Sequence, residues 1–124
     1  MTRAEETARA GREALAMVRA TPSLDAPSRA QAVRALARWL ALDHPGHLVE
    51  LRIPPFVAVQ LGFADATGGH RRGTPPNVVE TDPDTFLALV TGATSWTSAR
   101  AANLVHASGA RSDLGPLFPL GRHP

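Results

Sequence analysis

The sequence predicts an α+β fold: an antiparallel or mixed sheet covered by helices on one side, in the order αα-βββ-αα-β-α. Two observations carry this. The hydrophobic period changes from about 3.6 residues to 2 after "HPGH" at residues 44–47. The strands that follow come in a run before helices return, the pattern of α+β rather than alternating α/β domains.

Each element has its own local reason. Residues 4–20 are alanine-rich and favour a helix, with Ala4, Ala8, Gly11, Leu15 and Val18 as a thin apolar stripe. Thr21-Pro22 breaks it. Asp25 and Pro27 then start a second helix that runs to about residue 42. Ala30, Val33, Leu36, Ala37 and Leu40 form its apolar face, with Trp39 on the flank. In "LVELRI", Val49, Leu51 and Ile53 point one way, and Glu50 and Arg52 the other. Pro54-Pro55 separates this strand from a second, "FVAVQLGF".

A glycine-rich polar stretch, residues 62–73, precedes "TPPNVVET". Thr74 and Pro75 each precede a proline and are pushed toward extended geometry, so a third strand is expected at "NVVET". Asp82 caps the next helix and Pro83 suits its first position. Asp84 lies near the positive end of that helix dipole. Phe86, Leu87, Leu89 and Val90 supply its buried face, and Gly92 stops it. Ser95 caps a short helix with Trp96 and Ala99 inward. "NLVHAS" reads as a strand, with Leu104, His106 and Ser108 on one face and Val105 and Ala107 on the other. Asp113 opens a last short turn carrying Leu114, Leu117, Phe118 and Leu120, kept short by Pro116 and Pro119.

Composition bounds the function. The 124 residues fit one domain, and a hydrophobic fraction of 44% is that of a globular protein. The absence of cysteine removes disulfides and thiolate metal sites. No apolar run nears the roughly 18 residues of a membrane span. The charged N-terminus lacks the apolar core of a signal peptide, which gives an expectation of a cytoplasmic protein. The isoelectric point near 10.9 looks like a nucleic-acid signal. It follows instead from composition: all thirteen basic residues are arginine, there is no lysine, tyrosine or cysteine, and the net charge is only +2. The arginines are scattered, so a solvated surface is expected and nucleic acid is not.

No catalytic set stands out. His44 and His47 are separated by proline and glycine, no HExxH is present, and no metal is expected. There is no GxSxG, and His106 on a strand reads as a structural histidine before a general base. Arg71 and Arg72, flanked by glycines, are the candidates for an anion or headgroup contact; a hairpin loop explains the same glycines. Glu80, Asp82 and Asp84 could form an acid–base group, but each has a local structural task. The remaining signal is apolar: Phe56, Phe63, Phe86, Trp96, Leu104, Leu114, Leu117 and Phe118. A filled core and a ligand-enclosing core look alike in sequence.

The block "RGTPPNVVETDPDTFLALVTGATSWTSARAANLVHASGARSDLGPLFPL" resembles the actinobacterial sterol-carrier family, the bacterial orthologues of the sterol carrier protein type 2 domain. "VELRIPPFVAVQ" resembles the same family's first two strands. "GTPPNVVETDP" and "ASGARSDL" are the most specific parts. The resemblance covers residues 27–120 as a core, with residues 1–25 a helical extension of a single domain spanning 1–124. It implies helices on one side of an antiparallel sheet and an apolar tunnel between them. It also implies binding of sterols, fatty acids or acyl chains without transforming them, hence no enzyme and no cofactor. Phe86, Leu89, Trp96, Leu104, Leu114 and Leu117 would be the tunnel-wall residues. The implied partner is a lipid or apolar small molecule, with transient membrane contact and no integral membrane segment. The chain departs from the family in carrying Asn103 where glycine is common; asparagine tolerates positive φ, which keeps the turn. A protein-interaction or enzyme-accessory module with a filled core is the alternative.

Overall fold

The first helix, α1 (Arg3–Ala20), begins with a capping box. The Glu5 N–H donates to the Thr2 hydroxyl, and the Thr2 N–H donates to the Glu5 carboxylate. Its buried stripe is Gly11, Ala14 and Leu15. Helix α2 (Ala26–Asp43) starts where Asp25 accepts a hydrogen bond from the Ser28 N–H at 2.8 Å. The computed structural model describes residues 1–63 and 76–121.

The two helices pack along each other, and α2 in turn packs on the sheet. That position explains why Val33, Leu36 and Ala37 are fully buried. It also explains Trp39, which the helix pattern puts on a flank but which is only 7% exposed. The small stripe of α1 covers that flank. A Cβ on Gly11 would fall 2.5 Å from the Trp39 Cβ, so only glycine admits this approach.

The sheet contains β1 (Val49–Ile53), β2 (Val57–Leu61), β3 (Asn77–Thr81) and β4 (Val105–Ser108) in the order β2-β1-β3-β4. β1 is antiparallel to β2 and parallel to β3, and β3 is antiparallel to β4, so the sheet is mixed. The period-2 pattern holds in register. Leu51 stands opposite Val59 and Val79 on the covered face, where Val49 and Ile53 are also buried. Arg52 stands opposite Glu80, and Glu80 opposite His106, on the other face.

One buried polar residue ties the sheet to the chain that follows it. The Asn77 amide donates to the Leu48 carbonyl at 3.0 Å and accepts from the Arg111 N–H at 2.9 Å. Helix α3 (Pro83–Thr91) packs against α1 and α2 and ends at Gly92, whose φ is 84°. Helix α4 (Trp96–Ala101) leads into Asn103, which takes φ 59° and serves the turn before β4 in the left-handed region. Residues 112–121 then cross the helical side as a strap with one 3₁₀ turn, Gly115–Leu117. The Leu120 N–H donates to the Val90 carbonyl at 3.0 Å and fixes the strap to α3.

Candidate functional site

The strap places its apolar residues alternately into and across the core. Leu114 is fully buried, and Phe118 and Leu120 nearly so. Phe118 meets Phe86 of α3 edge to face, with ring centres 6.3 Å apart at 85°. Its other side lies near parallel to Trp96 of α4, 6.4 Å away at 13°. Both are favoured aromatic geometries. The result is a three-ring ladder from the core to the surface.

Two clefts flank the strap. One, of 330 Å³, lies between the end of α2 and the strap; Trp39 and Leu40 face Leu117 and Leu120 across it. The other, of 600 Å³, lies toward α4 and is lined by Trp96, Phe118 and the Gly92–Ser95 turn region. Pro116 and Pro119 line both clefts. The strap is therefore the partition between them.

The six tunnel-wall candidates divide three ways. Leu117 and Trp96 face the two clefts. Phe86, Leu89 and Leu114 are at most 1% exposed and line neither; they form the sealed layer below. Leu104 lies apart from both groups. Its side chain is 46% exposed, beside Glu80 and His106 in a 230 Å³ cleft at the sheet edge. Its carbonyl accepts from the Thr81 hydroxyl at 2.8 Å, which holds the backbone at the sheet. Arg71 and Arg72 lie outside the described residues. Trp39, Leu40, Pro116 and Pro119 were not read as site residues from sequence. Prolines spaced by three in an apolar tail were the available signal.

The three acids that suggested acid–base chemistry do not converge on one point. Glu80 is exposed on the sheet face that bears Arg52 and His106. Asp82 caps α3, its carboxylate accepting from the Thr85 N–H at 2.8 Å and the Thr85 hydroxyl at 2.7 Å. Partial burial pushes the Asp82 carboxyl up, but these hydrogen bonds together outweigh it and hold it below the ordinary value. Asp84 pairs with Arg29 of α2 at 2.7 Å. Among the described residues, no group of three or more histidines, aspartates or glutamates is placed to hold a metal ion. Nor is any helix there long and apolar enough to cross a membrane.

Against known proteins, the model of one family, described as the bacterial SCP ortholog, matches residues 25–120. The match begins at the cap of α2 and ends within the strap. Comparison with curated proteins gives no match.

Proposed function

We propose that this chain, which belongs to the bacterial SCP ortholog family, binds a lipid or other apolar molecule beneath its C-terminal strap without transforming it. The observation that carries this reading is the shared lining of the two clefts. Pro116 and Pro119 line both, with Trp39 and Leu40 on one side of the strap and Trp96 on the other. Lifting residues 115–121, the part of the strap beyond Leu114, joins the clefts into one channel over Phe86, Leu89 and Leu114. The 330 and 600 Å³ openings are each in the size range of small-molecule sites.

The energetics allow it. Withdrawing Phe118 and Leu120 from the core costs about 1.5–3 kcal/mol each. An acyl chain gains about 0.8 kcal/mol per methylene removed from water, so about eight methylenes offset that cost. Among the described residues the strap's polar tethers to the helices are few: the Leu120–Val90 hydrogen bond and a long 3.5 Å approach of Arg19 to the Leu120 carbonyl. The carrier role asks for no catalytic group, in keeping with the structural tasks of Asp82 and Asp84.

A second reading has its own support. The Phe86–Phe118–Trp96 ladder fills the space under the strap as packed side chains, as a protein-interaction or enzyme-accessory module would. Native mass spectrometry of the purified protein, with lipid extraction and displacement of a fluorescent fatty acid, separates the two. Lipid binding gives a co-purified or displaceable ligand at one site per chain. A folded protein with neither supports the filled module.

A further inference from the structure

The largest of the described clefts, 700 Å³, is not at the strap. It lies between the end of α1, the turn into α2 and the outer face of α3. Its walls are of two kinds. Val18, Leu24 and Leu87 give it an apolar floor, and Leu87 is only 8% exposed. Arg19 and Arg29 bring two guanidinium groups to it, against the single carboxylate of Asp84.

The arginines have donors to spare. Each guanidinium carries five N–H donors. Arg29 donates one of them to Asp84 at 2.7 Å, with its side chain two-thirds covered. Arg19 makes only the long contact to the Leu120 carbonyl among the hydrogen bonds of the described residues. The hydroxyls of Thr21 and Ser23 sit on the same rim. With Thr91 beside these groups the open cleft is half polar in its lining, which suits a polar head carrying a short apolar group rather than a wholly apolar ligand. The excess of cationic over anionic groups selects the sign of the ligand, and the planar guanidinium fork suits a carboxylate or phosphate.

We infer that this cleft binds a small organic anion, its carboxylate or phosphate head held by Arg19 and Arg29 and its short apolar group laid over Val18, Leu24 and Leu87. The site touches the strap only through the long contact of Arg19 to the Leu120 carbonyl, and none of its lining residues belongs to the strap. Asp84 has two effects: it orients Arg29, and it opposes the anion with a like charge.

The test is a titration of the full chain with phenyl phosphate, followed by backbone amide shifts. Inorganic phosphate and phenol serve as its two halves. The expected result is saturable shifts confined to residues 18–29 and 84–91, with each half binding at least about tenfold more weakly than the whole, the scale of one charged hydrogen bond or a buried ring. Arg19→Gln should weaken phenyl phosphate by about tenfold in a protein that stays folded, any small fall in melting temperature reporting its long contact to the Leu120 carbonyl. Asp84→Asn should tighten it. Shifts confined to residues 112–121 would place the ligand at the strap and overturn the inference while leaving lipid binding standing. Equal affinity for inorganic phosphate, or wild-type affinity in Arg19→Gln, also overturns it.

Discussion

Phe118 lies nearly parallel to Trp96, 13° between ring planes and 6.4 Å between centres, and at the same time edge-on to Phe86. One strap side chain thus joins the surface tryptophan to the core of α3. Removing it should cost stability and loosen the strap before the rest of the fold.

Phe118→Ala is expected to lose about 3 kcal/mol in urea unfolding, at the lower end for a large buried aromatic because the site opens toward a cleft. Native-state hydrogen exchange gives the sharper readout. The Leu120 amide, bonded to the Val90 carbonyl, should exchange faster by more than the amides of β1 do. Equal acceleration in both would mean that the strap is not a separate opening unit.

Gly11→Ala is expected to destabilise by about 1–3 kcal/mol, although alanine is the better helix former. The added methyl would meet three Trp39 side-chain atoms at 2.5 to 2.7 Å. Ala10→Gly, one position away on an exposed part of α1, should cost no more than about 1 kcal/mol. Thermal melts of the two variants compare packing against propensity directly.

Asp82 and Asp25 each cap a helix, and hydrogen bonds hold both carboxyls below the ordinary value of 3.8. For Asp25 the Ser28 backbone N–H is the main cause. A depressed folded value means that the stabilising contribution is complete above about pH 4 and is lost as pH falls through the folded value. Stability measured from pH 7 down to pH 2 should therefore fall at the acid end. Asp82→Ala should lower stability by about 1 kcal/mol at pH 7 and flatten that acid fall. An acid limb unchanged by the substitution would assign it to other groups.

Asn77→Leu is expected to cost about 2 kcal/mol despite adding apolar bulk in a buried site. It leaves the Leu48 carbonyl and the Arg111 N–H without the partner each has now. Asn77→Asp should recover the bond from Arg111 but not the one to Leu48. Chemical denaturation of the two variants therefore weighs one link against the other.

Much of this fold was legible in local chemistry. Asp25 with Pro27 and Asp82 with Pro83 mark two helix starts that the structure places at Ala26 and Pro83. The alternation of Leu51 with Arg52 assigns the covered sheet face, because a strand's side chains alternate strictly. What could not be read depends on neighbours distant in sequence. Trp39 is buried by Gly11, twenty-eight residues away (39 − 11). Parallel pairing of β1 with β3 follows from where β3 returns, which no residue of either strand encodes. The alternation of β4 groups Leu104 with His106 and Ser108, but that this is the exposed face depends on how the strand packs, which its residues do not declare. The strap's place between two clefts is likewise a tertiary fact, since its prolines announce a short turn and nothing about what lies on either side.

The most direct test of lipid binding under the strap uses the chain's own fluorescence. There is no tyrosine, and the two tryptophans stand one in each cleft, Trp39 on the α2 side and Trp96 on the α4 side. A fatty acid brominated along its chain quenches an indole only at close range. Titrated into Trp39→Phe and Trp96→Phe, which each leave one reporter, it should quench both with the same half-saturation, because one ligand spans the joined clefts. Quenching of neither tryptophan, or of only one, in proteins that remain folded would contradict a single apolar site beneath the strap.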